Sequence, residues 1–260
     1  SGTRTLSSLT FRTAGVRTVA AGGPSGTLTA NTSPSITVNA GAFAQLQLLV
    51  PGETAAPGTP TGKTGTPTAR TAGAPFTVTV RAVDAAWNLV SSVTHTIGIT
   101  SSDANAALPA AAPLAAGTAN FSVTLKTGGS RTITASDLDD GSKTASTSPA
   151  ITVNVGAFAN LQVLSPGETA APGSATGKTG TPNAQTAGTA FNVTVNAVDA
   201  NWNLISTNDT VAITSSDANA VLPASAALVS GTKAFSVTLK TSGSATVTAS
   251  DTTHPGITAN

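Results

Sequence analysis

Four acidic positions recur in register along the 260 residues: Glu53 and Glu168, Asp84 and Asp199, Asp103 and Asp217, Asp137 and Asp251. Carboxylates offered by loops at one end of a domain are the ligands a hard cation such as Ca2+ takes. The densest group is "DLDDG", 137–141, which makes Asp137, Asp139 and Asp140 the candidate Ca2+ ligands. The corresponding later stretch reads "DTTHPG" and loses the last two of these acids. The competing reading is that Asp84 and Asp199 hold turns through their own backbone while the others sit in solvated loops. That reading is preferred, and no cofactor is assigned.

Nucleophilic chemistry has less to work with. There are two histidines, His95 and His254, and His95 aligns with Asp209 in the later copy. A general base that a near-identical copy lacks is better read as a polar residue on a strand face. No catalytic residue is assigned, and the chain is not expected to be an enzyme. The stretch "PGTPTGKTGTP", 57–67, looks like a phosphate loop, but only three residues separate Gly58 from Gly62 where a P-loop needs four. It also returns as "PGSATGKTGTP" at 172–182, as part of a repeat. Lys126 with Lys240, and Lys63 with Lys178, are positions where a Lys–Asn crosslink would form if the amine were desolvated. Alternation places Lys126 and Lys240 on a polar face, which argues against it. Trp87 and Trp202 recur in one turn, followed by Asn88 and Asn203, and read as covers for the end of a core.

Only 9% of residues are charged, against 39% hydrophobic, and the net charge is +1. There is no basic excess to hold nucleic acid, and no apolar run long enough to span a membrane as a helix. The absence of Cys excludes disulfides and thiol ligation of metal.

Internal copying organises the rest. "FAQLQLLVPGETAAPG" from Phe43 returns from Phe158, and "FTVTVRAVDAAWNLV" from Phe76 returns from Phe191, both 115 residues on. "FSVTLKTGGSRTITASD" from Phe121 returns from Phe235, 114 residues on, so one residue is lost between Leu89 and Ile99. Segments 9–21 and 32–44 match 123–135 and 147–159. The expected organisation is a partial repeat over 1–42, one domain over 43–157 and a second over 158–260.

Within each copy the hydrophobic pattern has period two, as a half-buried strand requires. Phe76, Val78, Val80 and Ala82 fall on one face, as do Phe121, Val123 and Leu125, then Ile133 and Ala135, then Ile151, Val153 and Val155. Leu46 and Leu48 are expected inside, with Gln45 and Gln47 outside. Strands are also expected at 6–11 and 16–21. The Ala-rich segment 104–117, broken by Pro109 and Pro113, reads as a loop or short edge strand. About seven short strands in 115 residues predict an all-β fold of tandem immunoglobulin-like antiparallel sandwiches.

The strand and turn "VTVRAVDAAWNLV", with "ITSSDANA" and "GTANFSVTLKTGGSRTITASD", resembles the bacterial Ig-like domains that stand in tandem in invasin- and intimin-like surface proteins. The sequence departs from antibody domains in having no Cys pair and no tyrosine corner, and its tryptophans sit in a turn. The resemblance implies a rod-like structural role outside the cell or on its surface, and carries over no catalytic residue. The alternative is an adhesin module that recognises a glycan or cell surface. The second domain is expected to lack its last strand, the one that reads "TSPAITVNV" in the first. "TSPSITVNA" at 32–40 carries that strand without a sandwich before it. Ile36 and Val38 are therefore the expected assembly strand, and the expected partner is another copy, head to tail, or a longer array of the same repeats. Three arginines and no acid in residues 1–31, against three lysines and five acids in 158–260, suit such a contact.

Overall fold

In the computed structural model the described residues are 5–22 and 29–259. Residues 1–4 and 23–28 of the expected partial repeat, and Asn260 at the end of the second domain, lie outside them. The described residues form strands and turns with no helix.

In the first copy, Thr118–Thr124, Pro75–Val83 and Gln45–Leu49 make one antiparallel sheet, with Phe121 opposite Val78 and Leu48 opposite Val80. A second sheet runs Ala112–Pro113, Thr96–Ser101, Ile133–Asp137, Ser146–Thr147. Numbered along the copy, the strands group as 5-2-1 and 4-3-6-7. This is the Greek-key division of the immunoglobulin sandwich. Ile151–Asn154 extends the last strand, lying antiparallel to Gly129–Arg131 and parallel to Arg70–Thr71. The Ala-rich segment supplies the two-residue edge strand Ala112–Pro113, where Pro113 removes no interior hydrogen bond.

The two sheets share one apolar cluster that includes Leu48, Val78, Val80, Phe121, Ile133 and Ile151. A separate cluster in the second copy holds Leu161, Val193, Val195, Val211, Phe235 and Ala249. Registers also match: Phe235 stands opposite Val193 as Phe121 stands opposite Val78. Alternation therefore carries directly into packing, with Thr77 and Ser122 exposed beside buried Val78 and Phe121.

Three expectations are corrected. Residues 6–11 form no strand, and Leu6 and Leu9 are exposed. Their counterparts are held by pairing with Pro75–Val83, and among the described residues no strand pairs with 6–11. Gln47 and its counterpart Gln162 alternate outward yet are buried, 1% and 2% exposed, because a loop lies over that face. Val155, expected on the apolar face, is exposed, since the strand ends at Asn154.

Phe121 is 3% exposed at the centre of the first cluster. Replacing it by Ala is expected to destabilise that sandwich by about 3–5 kcal/mol, measured by chemical denaturation. An unchanged midpoint would show that this register is wrong.

Candidate functional site

The turn that follows the longest strand of each copy is built on one carboxylate. Asp84 Oδ1 accepts from the amides of Ala86 and Asn88, and Asp84 O accepts from the Trp87 amide. Asp84 Oδ2 accepts from the Gly41 amide in the segment that leads into the copy, and both oxygens accept from Asn88 Nδ2. Burial works to raise the pKa of Asp84. The Gly41 amide, the Asn88 side chain and the Asn88 and Ala86 amides outweigh it and hold the group below the usual carboxylate value. Asp199 repeats the arrangement with Gly156, Asn201 and Asn203.

So tightly held, the turn keeps an aromatic residue in the left-handed region. Trp87 has φ 67° and Trp202 φ 65°, where a bulky side chain rarely sits. The indole faces Gly62 in one copy and Gly177 in the other, each at positive φ, and a Cβ at either glycine would overlap the indole ring. Those glycines belong to the Gly/Pro loop, which folds as the hairpin Glu53–Ala55 with Lys63–Gly65 in the first copy and Glu168–Ala170 with Lys178–Gly180 in the second. The Gly62 carbonyl accepts from Gln47 Nε2 at 2.7 Å, and Gln47 Oε1 accepts from Arg81. The loop is thus a flap, closed by Trp from one end and by a buried Gln from beneath. Lys63 pairs with Glu53 at 2.7 Å, and Lys178 with Glu168 at 2.9 Å.

The Asn after the Trp faces the other way, into the preceding copy. Asn203 Nδ2 donates to Lys126 O at 2.9 Å, and Asn203 Oδ1 accepts from the Gly128 amide at 2.9 Å. Asn88 does the same to the partial repeat, donating to Arg12 O and accepting from the Ala14 amide at 2.8 Å. Around the second joint, Asn105 Nδ2 donates to Pro172 O, and Gly173 faces Thr127. At the first joint Gly58 faces Thr13. One joint is therefore built twice from the same parts.

The opposite end of each sandwich has its own carboxylate. Asp103 Oδ2 accepts from the amides of Lys126 and Thr127, and Oδ1 accepts from Thr127 Oγ1 and the Asn105 amide. Asp217 repeats these bonds with Lys240, Thr241 and Asn219. The Thr241 and Lys240 amides lead in lowering its pKa to about 2, against a smaller opposing contribution from burial.

Near the fourth acidic pair each copy joins a histidine to a carboxylate. His95 Nδ1 lies 2.8 Å from Asp137 Oδ2, and His254 Nδ1 lies 2.6 Å from Asp209 Oδ2. His95 aligns with Asp209, and Asp140 with His254, so the histidine changes sides while the buried central acid stays. Of the three candidate Ca2+ ligands, Asp137 also accepts from the amides of Asp139 and Asp140, Asp139 accepts from the Thr96 amide, and Asp140 accepts from Ser142. Each carboxylate is turned to its own local donors. Among the described residues, the group with donor atoms close enough to share an ion is Asp209, Asp251 and His254, within 4.8 Å of one another. The hydrogen-bonded Asp209 carboxylate raises the pKa of His254.

Ile36–Val38 pairs antiparallel with Gly15–Arg17. Ile36 is exposed, while Val38 is half-buried in a hollow shared with 89–92 of the first sandwich. The joint residues Asn88 and Asn203, and the buried Gln47 and Gln162, are what sequence reasoning missed. Their in-register recurrence was the available signal.

No family model matches the chain, and no curated protein does. Solved structures similar to it include the "D0-D1 domain of Intimin", at 15% identity and TM-score 0.28, covering 73% of this chain and 89% of that one. The S-layer protein rSbsC(31-844) aligns at 20% identity and TM-score 0.29, over 86% of this chain and 25% of that one. A β-glycosidase from Bacteroides vulgatus aligns at 10% identity and TM-score 0.31, over 85% and 24%. Scores this low leave the Ig-like assignment resting on the strand order described above.

Two outcomes test this geometry. Asp217 has a depressed pKa, so its stabilisation is present above the unfolded value near 4 and is lost as pH falls through about 2. Melting temperatures measured between pH 5 and 2 should fall less steeply in Asp217→Asn than in the parent; an identical slope would contradict the hydrogen-bonded role. Gly177→Ala combines positive φ with overlap on Trp202, and should cost about 1–3 kcal/mol from the backbone alone. It should also red-shift Trp202 emission in a Trp87→Phe background, and an unaltered spectrum would place the flap elsewhere.

Proposed function

We propose that this chain is a structural extracellular protein whose Ig-like modules stack end to end into a stalk. The joint carries the reading. The same Asp–Asn pair and the same two backbone bonds recur at both junctions, Asn88 to Arg12 and Ala14, Asn203 to Lys126 and Gly128. A linker left flexible would need none of them. Gly41 and Gly156 tie the connecting segment to the same carboxylates, so the connection is held as well as the contact. The domain division at 42/43 and 157/158 belongs to this reading, with the bonded residues of each joint on opposite sides of it.

The exterior suits the role. Exposed Thr, Ser and Ala alternate with buried apolar residues along the strands, and the low charge leaves little self-repulsion between stacked modules. The placement is at the cell surface or outside the cell, with partners of the same repeat type.

Asn203→Ala removes both of its own cross-joint bonds and one Asp199 donor, while Asn105 still reaches Pro172. Each lost buried bond costs on the order of 1–3 kcal/mol, while neither sandwich core is touched. Small-angle scattering and NMR relaxation should show two folded modules that tumble more independently than in the parent. Tumbling unchanged from the parent would remove the joint as the source of stiffness.

A further inference from the structure

Asp209, Asp251 and His254 meet where the segment leading into Thr210–Ser215 passes the turn after Val247–Asp251. Asp251 is 5% exposed and the Asp209 side chain 11%. Asp251 Oδ1 accepts from the amides of Thr253 and His254, at 2.8 and 2.9 Å. Its Oδ2 is buried and meets no hydrogen-bond donor, the one such side-chain atom among the described residues. The imidazole of the group is turned elsewhere: His254 Nδ1 lies 2.6 Å from Asp209 Oδ2, while Thr207 Oγ1 donates to Asp209 Oδ1. The first copy shows what the orphaned oxygen lacks. There His95 stands at the Asp209 position, and its Nδ1 lies 2.8 Å from Asp137 Oδ2. Asp137 takes its other side-chain bonds from the amides of Asp139 and Asp140, and none from 141–154. Asp140, at the His254 position, is turned away to Ser142 and Lys143. One carboxylate and one imidazole satisfy each other in the first copy. In the second, two carboxylates share a single imidazole.

We infer that Asp209, Asp251 and His254 form a binding site for a divalent transition-metal ion of the Zn2+ type, a site the second module has and the first does not. Their donor atoms lie within 4.8 Å of one another, close enough for one ion to touch all three. Two carboxylates and one imidazole are the mixed oxygen and nitrogen set that a borderline ion takes, whereas Ca2+ prefers an all-oxygen shell. A buried carboxylate oxygen without a partner is costly. The ion supplies that partner to Asp251 Oδ2 and offsets the repulsion between the two acids. Only a neutral imidazole ligates, so the nitrogen that takes the ion releases any proton it holds to solvent. The His254 side chain is 64% exposed, which lets the ion enter from solvent and complete its shell with water. Once bound, it ties the start of one strand to the end of its neighbour, and stabilises the folded second module by mass action. The exchange of histidine and aspartate between the copies thus converts an ion pair into a metal site.

The test titrates the full chain with Zn2+ by isothermal calorimetry and follows the same titration by NMR. Because His95 and His254 are the only histidines, the two copies are read separately. One ion per chain is expected, with the imidazole resonances of His254 shifting and those of His95 unmoved. His254→Ala, at an exposed position, and Asp209→Asn should each lower the affinity by at least about tenfold, the loss that removing even an outer partner of a metal site brings. The amide spectrum of each variant shows whether the second module is still folded, and the exposed His254 position keeps the test usable if Asp209→Asn unfolds it. No binding, equal shifts at both histidines, or a smaller loss of affinity in either folded variant overturns the inference. Ca2+ competing with Zn2+ on equal terms also overturns it, since the carboxylates alone then suffice.

Discussion

A buried carboxylate hydrogen-bonded to the Asn four residues on is the interaction on which the rest of this structure depends. Asp84 and Asp199 each accept bonds from the incoming segment, from their own turn and from that Asn. Ionised and largely removed from water, such a group is costly unless its lone pairs are filled. Filling them forces the turn into one conformation. The Trp is held at positive φ, the flap closes over it, and the Asn is aimed at the preceding copy. Local electrostatics thus become a longitudinal contact between modules.

The remaining recurrent acids extend this logic. Asp103 and Asp217 knit the opposite end of each sandwich, and Glu53 and Glu168 neutralise the flap lysines. In the joint between the two sandwiches, the Asp103 end of the first meets the flap of the second through Asn105 and Pro172. The two ends of a module are different, complementary surfaces.

Packing within a module is ordinary sandwich chemistry. The flap and its buried Gln cover one outer face of each sandwich with paired polar groups. Gln47 spends its amide on Gly62 O and its carbonyl on Arg81, and Gln162 does the same with Gly177 and Asn196. The flap therefore adds coverage without leaving an unpaired buried group there.

Much of the fold was legible in the residues themselves. Period-two alternation around Phe76, Phe121 and Ile133 identified strands and their inner faces, because the pleat places every second side chain on one side regardless of context. Near-identical copying identified the repeat. What alternation could not reveal is what lies over the outer face. Gln47 reads as solvated until the flap, whose Gly62 lies fifteen residues on, is folded onto it. The recurrent acids likewise announced themselves as a set, but a list of carboxylates does not distinguish an ion site from turn and joint construction. That distinction depends on which amides each oxygen meets. For Asn88 and Asn203 the deciding partners, Arg12 and Lys126, lie about two-thirds of a repeat upstream, and only the tertiary structure brings them together.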